Sequence, residues 1–232
     1  MAARQVQEVL STPPRGRSGR GAGVGLAGFP PPAESFRAEV CSEALPEGEG
    51  VLLWAVGAHG GAGATSLSAR FGFVGDAGRQ FPSGEYPGED RVVVVAAETV
   101  AGLTAAQNLV LQHLNGLGGD TELVAVVTHP VVPQWTGKGA PVEIGAMLRL
   151  LDDAVLPFSL VRLGWDGQLA VATPDEVEPV SPAAVAEWLA MDAKARRRVG
   201  KGRDWVSRAG LAAAGARLLE CAAGAPADPW PD

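Results

Sequence analysis

One stretch constrains the fold of this 232-residue chain more than any other: Val51-Leu52-Leu53-Trp54-Ala55-Val56-Gly57-Ala58-His59-Gly60-Gly61-Ala62-Gly63-Ala64-Thr65-Ser66-Leu67. Apolar residues run unbroken from Val51 to Val56 and stop at a glycine, the pattern of a short strand buried on both faces of a parallel sheet. The glycines that follow let backbone amides approach a ligand closely, and Thr65 or Ser66 can cap the helix expected next. Strand, glycine loop and helix start in this order make a cradle for an anion, because open amides and the positive end of a helix dipole both favour phosphate.

The phosphate-loop pattern G-x-x-x-x-G-K-[ST] requires a lysine after its last glycine, to reach the β- and γ-phosphates, and a hydroxyl to hold magnesium. Here Thr65 supplies the hydroxyl and Ala64 stands at the lysine position. His59-Gly60-Gly61-Ala62-Gly63-Ala64-Thr65-Ser66 resembles the deviant phosphate loop K-G-G-x-G-K-[ST]-[ST] of the ParA/MinD family of partition ATPases. On that alignment His59 replaces the family's first lysine, which crosses the dimer interface, and Ala64 replaces its second. Gly60, Gly61, Gly63, Thr65 and Ser66 match. The segment Arg91 to Gln107 is similar to the family's later strand and helix, and Glu122 to His129 to the strand after that. The loop between these regions is then too short for the family's intervening strands, so the strand bearing the Walker B acid is expected to be missing, with Asp76-Ala77-Gly78 as a candidate remnant, a tripeptide common in any loop. Residues 50 to 175 also look like an uncharacterised group of actinobacterial proteins that carry G-x-H-G-G-A-G after a first strand. Members of that group tend to be encoded among conjugative-transfer and mobile-element genes.

The resemblance implies an α/β, P-loop NTPase-like fold: a reduced, mostly parallel sheet of about four to five strands flanked by helices, with a disordered N-terminal tail and a C-terminal helical extension. The expected division is a tail over 1–49, the α/β domain over 50–180, a basic helical extension over 181–223 and a second tail over 224–232.

The formal charge of −7 argues against a protein that simply coats nucleic acid. Its distribution says more. Acids exceed bases by about nine between Val51 and Ala190, whereas bases exceed acids by about five between Met191 and Glu220, so a basic appendage accompanies an acidic body. The two cysteines, Cys41 and Cys221, have no metal-type spacing. No apolar run is long enough to span a bilayer and the N-terminus has no secretory apolar segment, so a cytoplasmic protein is expected.

Along the chain, residues 1 to 49 are rich in Pro, Gly, Ser, Arg and Glu and are expected to stay disordered. Ser66 to Phe73 reads as a short helix, with Leu67, Phe71 and Val74 toward the sheet, and Gly75 to Asp90 as a loop dense in Gly and Pro. Arg91 to Ala97 and Leu123 to Thr128 are continuous apolar strands joined by the helix Thr99 to Leu117, a βαβ unit whose crossover is right-handed. Val142 to Ala154 is the next helix and Phe158 to Leu163 the fourth strand. A helix from Ser181 through Trp188 to Val199 carries Lys194, Arg196, Arg197 and Arg198, and another begins at Asp204.

The loop residues His59, Gly60, Gly61, Ala62, Gly63, Ala64, Thr65 and Ser66 are the candidate phosphate site, with Thr65 as the magnesium ligand. Loops at the carboxyl ends of parallel strands bind ligands, so Glu98, His129, Lys138 and Trp165 are candidate pocket residues. Lys138, or Arg70, is the candidate replacement for the missing lysine; Trp165 either stacks on a base or covers the end of the sheet. Lys194, Arg196, Arg197, Arg198, Lys201, Arg203 and Arg208 form a candidate nucleic-acid patch, against the alternative of a solvated helix face.

The resemblance implies ATP or another nucleotide with magnesium as cofactor, and a protein partner: a second copy of the chain, or a component of a transfer or partition apparatus. With both lysines gone, no catalytic residue is assigned and a non-hydrolysing, partner-binding or regulatory factor is expected. The alternatives are an ATPase using a non-standard cation, a scaffold whose loop is a packing turn that binds no nucleotide, and a DNA-binding accessory protein.

Overall fold

The computed structural model describes residues 30–46, 50–86, 88–136, 139–154, 159–199 and 203–223. Five strands form a parallel sheet in the order β3-β2-β5-β6-β7, with β2 at Leu53–Gly57, β3 at Val74–Asp76, β5 at Arg91–Ala97, β6 at Glu122–His129 and β7 at Ser159–Arg162. The helices are α1 (Ala64–Arg70), α2 (Val100–Leu114), α3 (Val142–Ala154), α4 (Pro182–Ala190), α5 (Ala193–Val199) and α6 (Arg203–Ala222). A separate pair, β1 (Glu39–Val40) and β4 (Gln80–Phe81), is also parallel.

Alternation along the strands divides the core into two layers. Leu53, Ala55, Val93, Val95, Ala125, Val127 and Val161 face Leu67 of α1, Val185 of α4 and Leu211, Leu218 and Leu219 of α6. Trp54, Val56, Val92, Val94, Ala96, Leu123 and Val126 face Leu103, Ala106 and Val110 of α2 and Ile144, Leu148 and Leu151 of α3. Each of the fully buried valines contributes about 1.5–3 kcal/mol of transfer free energy, which explains why runs with no polar face form central strands here.

The order of strands fixes where a ligand can sit. From β2 the chain passes through α1 to β3 on one side, then returns to β5 on the other side of β2 and continues outward through α2 and α3. Right-handed crossovers in opposite directions put their helices on opposite faces, which is where α1 and α2 lie. The crevice between the carboxyl ends of β2 and β5 is therefore the point at which the winding reverses.

Several expectations are corrected. The helix after the glycine loop ends at Arg70, because Phe71 turns extended (φ −121°), and Val74 belongs to an edge strand, not to that helix. Gly75 lets this strand pack: a Cβ there would lie 2.6 Å from Cε3 of the Trp54 indole. The sheet thus gains a strand ending in Asp76, where the spacing had left no room for one.

Within the segment 1–49, expected as a tail, residues 30–46 are described, and Ala38 and Leu45 among them bond to the α/β domain. Gln112, buried on α2, receives Ala38 N–H at 2.8 Å and donates to Ala38 O at 2.7 Å, substituting for a neighbouring strand. Leu45 is buried and its N–H donates to Glu89 Oε1 at 2.6 Å.

Helices α4 and α6 cover one face of the sheet, since Val185, Leu211, Ala214, Leu218 and Leu219 complete the core there. The helix expected from Ser181 to Val199 is two, α4 and α5, because Asp192 breaks the chain and accepts Ala195 N–H on its Oδ1 at 2.7 Å. Among the described residues no helix is long and apolar enough to cross a membrane.

Candidate functional site

The glycine loop leaves β2 at its carboxyl end and is tied to the strands on both sides. Gly57 N–H donates to Gly78 O at 2.7 Å and Ala58 N–H to Val95 O at 2.9 Å. A turn closes with Ala62 N–H on His59 O at 3.1 Å. Gly61 (φ 76°) and Gly63 (φ 91°) hold left-handed backbone, which side-chain-bearing L-residues adopt only at a cost. Gly63 is the N-cap of α1. Among the described residues no backbone acceptor meets the amides of Gly60, Gly61, Gly63, Ala64, Thr65 or Ser66. The loop presents these unpaired donors at the switch point of the sheet.

Two histidines hold the loop in this shape. His59 Nε2 accepts Ala97 N–H from the end of β5 at 3.3 Å, so its proton is on Nδ1, which donates to Gly60 O at 2.8 Å. His129, at the end of β6, donates Nε2–H to Ala62 O at 2.9 Å, and its Nδ1 lies 3.4 Å from Pro130 O. Its ring packs so closely that a Cβ on Gly63 would lie 2.9 Å from His129 Nε2. The first turn of α2 closes on His59 in the same way, since a Cβ on Gly102 would lie 2.8 Å from His59 Nε2. Glu98 N–H in turn donates to His129 O at 2.8 Å, linking the ends of β5 and β6.

Thr65, exposed at the start of α1, donates its hydroxyl to Asp76 Oδ2 at 2.6 Å, and Asp76 Oδ1 accepts Gly78 N–H at 2.8 Å. Asp76, the candidate remnant named from the sequence, is the terminal residue of β3 and partner of the loop hydroxyl. Hydroxyl and carboxylate side by side are an all-oxygen donor set suited to magnesium.

Glu98 is a buried ion-pair partner. At 0 % exposure it accepts Arg162 Nε–H on Oε1 and Nη2–H on Oε2, both at 2.8 Å, while Thr128 Oγ1 donates to Oε1 at 3.1 Å. The fork-to-fork contact raises the guanidinium pKa above its ordinary value, first through the hydrogen bond to Glu98, against a smaller opposing effect of burial. Arg162 was not foreseen; the available signal was a single basic residue ending an apolar strand, opposite an acid ending another.

Other candidates fall elsewhere. Arg70, proposed as a replacement cation, is buried at the far end of α1 with Asp166 at 2.6 Å, Glu178 O at 2.9 Å and Gln168 Oε1 at 3.1 Å, so it is committed away from the loop. Lys138 lies outside the described residues. Trp165 is half-buried and its N–H donates to Thr136 Oγ1 at 3.3 Å, which joins the loops after β6 and β7. In the basic segment Lys194 and Arg198 are exposed on α5, which also carries Arg197. Arg196 is turned inward, its guanidinium 4.5 Å from the Trp188 ring centre and bonded to Trp188 O and Leu189 O, so it caps α4 and does not face solvent as a free cation. Arg203 and Arg208 belong to α6, and Lys201 lies outside the described residues.

Comparison with protein-family models, with curated proteins and with solved structures finds no match to this chain. The site's own chemistry consists of open amides and a hydroxyl–carboxylate pair.

Proposed function

We propose that this protein is a non-hydrolysing domain of P-loop build, whose glycine loop takes the phosphates of a nucleotide with magnesium and whose bound state regulates a protein partner. The observation that carries this reading is the set of amides at Gly60, Gly61, Gly63, Ala64, Thr65 and Ser66 that meet no backbone acceptor among the described residues, at the switch point of a parallel sheet and beside the Thr65–Asp76 pair. Thr65 and Asp76 would hold the magnesium, and the amides would hold phosphate oxygens. The metal would supply the positive charge that Ala64 does not.

Slow or absent turnover follows from the shortage of cations. Phosphoryl transfer depends on positive groups that meet charge developing on the transferred phosphate, and one preorganised donor is worth roughly 3–4 kcal/mol in comparable sites. Arg70 is spent on Asp166 and Arg162 on Glu98. The resemblance to ParA/MinD proteins, and to the mobile-element group, supports a partner in plasmid partition or conjugative transfer.

Calorimetry with ATP and with GTP, each with magnesium, beside a phosphate-release assay, tests the reading. Binding without phosphate release is the expected result. Steady release abolished by Thr65→Ala would make the protein an ATPase, and no binding to either nucleotide would make the loop a packing turn.

A further inference from the structure

We propose that the pole of the domain opposite the glycine loop is a docking surface for the chain's own arginine-bearing N-terminal segment, residues 1–29. The surface lies at the amino ends of β5 and β6, away from the glycine loop, and stands whether or not that loop takes a nucleotide.

Three stretches build this pole: residues 30–46, the described loop residues before β5 (82–86 and 88–90) and the turn before β6 (115–121). They are tied to one another. Gln112 Nε2 donates to Ala38 O at 2.7 Å and to Leu117 O at 2.8 Å, and Asp120 N–H donates to Ser83 O at 2.7 Å. A Cβ on Gly119 would lie 3.1 Å from Val40 Cγ1. Glu89 joins the remaining pieces, donating its N–H to Tyr86 O at 3.2 Å and accepting Leu45 N–H at 2.6 Å. Of the eight large hydrophobic side chains exposed among the described residues, four belong to these stretches: Phe36, at 61 %, Val40, Tyr86 and Leu117. Glu34, Glu39, Glu43, Glu85 and Asp120 are exposed among them. The one basic residue in the three stretches is Arg37, whose Nε–H donates to Pro32 O at 2.8 Å. A surface both acidic and apolar repels nucleic acid and favours a basic segment that carries apolar side chains of its own.

Residues 1–29 have that chemistry and join the chain at the right place. They carry Arg4, Arg15, Arg17 and Arg20 against a single acid, Glu8, together with Val6, Val9 and Leu10. The segment enters the described chain at Pro30, six residues before Phe36. Arg20 lies ten residues before Pro30, a reach of up to about 33 Å when extended, which is the breadth of a small domain. Arginine suits both halves of the surface, because its guanidinium pairs with carboxylates through a planar fork and lies flat on aromatic rings such as Phe36 and Tyr86. Exposed ion pairs are weak singly, but a tether gives them an effective concentration of millimolar order. A second copy is a poorer occupant, since acids exceed bases by about nine over Val51 to Ala190 of its body.

Photo-crosslinking of the full chain tests the docking. p-Benzoylphenylalanine is placed singly at Tyr86, at Leu117 and, as a control at the start of α3, at Val142, all three of which are exposed, so the core is left intact. After irradiation the monomer is digested and the joined peptides are identified by mass spectrometry. Adducts to residues 1–29 are expected at Tyr86, Leu117 or both, in about fivefold or greater excess over Val142, and are expected to fall severalfold in about 1 M sodium chloride. The full-length variant Arg15→Glu/Arg17→Glu/Arg20→Glu is expected to lose them to the same extent at low salt. Equal yields at all three positions, or yields indifferent to salt and to the arginine variant, would overturn the proposal by showing a segment without a preferred surface. No adduct to residues 1–29 at Tyr86 or Leu117, or adducts found only in a cross-linked dimer, would overturn it as well, the dimer assigning the pole to a second copy. Nucleotide binding by the glycine loop is not read in this experiment, so failure here leaves the phosphate site untouched.

Discussion

The Thr65 hydroxyl donates to Asp76 Oδ2 at 2.6 Å, so the first turn of α1 is pinned to the end of the edge strand β3. Both groups keep oxygen lone pairs, and on the reading proposed above they would hold the magnesium. Asp76→Asn keeps the hydrogen-bonding outline and loses the charge. It is expected to weaken magnesium-dependent nucleotide binding by about tenfold or more while changing metal-free binding little, because metal-free anion affinity depends on the amides. Titrations with and without EDTA check this; equal losses in both would place Asp76 in a structural role only.

The glycines of the loop are not equivalent. Gly63 combines φ 91° with a His129 ring that a Cβ would touch at 2.9 Å, whereas Gly60 has open space around it and no left-handed backbone. Gly63→Ala is expected to cost about 1–2 kcal/mol for the left-handed backbone alone, and more for displacing His129. Gly60→Ala is expected to change stability by less than about 0.5 kcal/mol. Urea unfolding of the two variants against the wild type measures the contrast.

How much of this could be read beforehand depended on the length of each signal. The runs at Leu53 to Val56, Val92 to Val95 and Leu123 to Val127 are long enough to declare buried parallel strands, and the glycines declare the loop. Val74-Gly75-Asp76 is three residues with a glycine in the middle and carries no period. It becomes a strand only because Gly75 admits the Trp54 ring, a tertiary fact, and Asp76 acquires meaning only once the strand exists. The Glu98–Arg162 pair was hidden for a similar reason. It spans residues 64 apart and depends on the register that sets Thr128 beside Arg162 and His129 beside Ala97. Nothing local to Leu211, Leu218 and Leu219 of α6 says that their counterpart is the sheet.

Breaking that ion pair from one side leaves a buried charge. Arg162→Ala strands the Glu98 carboxylate, which is 0 % exposed, and is expected to cost roughly 3–5 kcal/mol. The double variant Glu98→Gln/Arg162→Gln removes both charges and leaves neutral groups able to bond across the same gap. It is expected to recover most of the loss, because the penalty lies in the unpaired charge and less in the absence of the bridge. Thermal unfolding of both variants decides; equal destabilisation would show instead that the contacts themselves hold β5 to β7.

His113 sets the pH response of the fold. It lies in the last turn of α2, stacked on Phe81 with ring centres 6.2 Å apart, and its Nε2 accepts Leu123 N–H at 3.2 Å. Burial lowers its pKa from 6.5 to about 4. The carboxyl end of a helix favours the charged ring by about 0.3–1 kcal/mol, while a shift of this size corresponds to about 3 kcal/mol, so burial prevails. Between the two pKa values the unfolded chain binds a proton that the folded chain does not. The stability contributed by keeping His113 neutral is therefore complete above about pH 6.5 and is lost progressively as pH falls toward 4. His113→Gln cannot titrate, and it shares every other acid-sensitive group with the wild type. The difference in unfolding free energy between the two proteins is thus expected to move by about 3 kcal/mol in favour of the variant from pH 7 to pH 4. Urea titrations at pH 7, 5.5 and 4 measure it, and a difference constant with pH would mean that the ring is protonated in the folded protein as readily as in the unfolded chain.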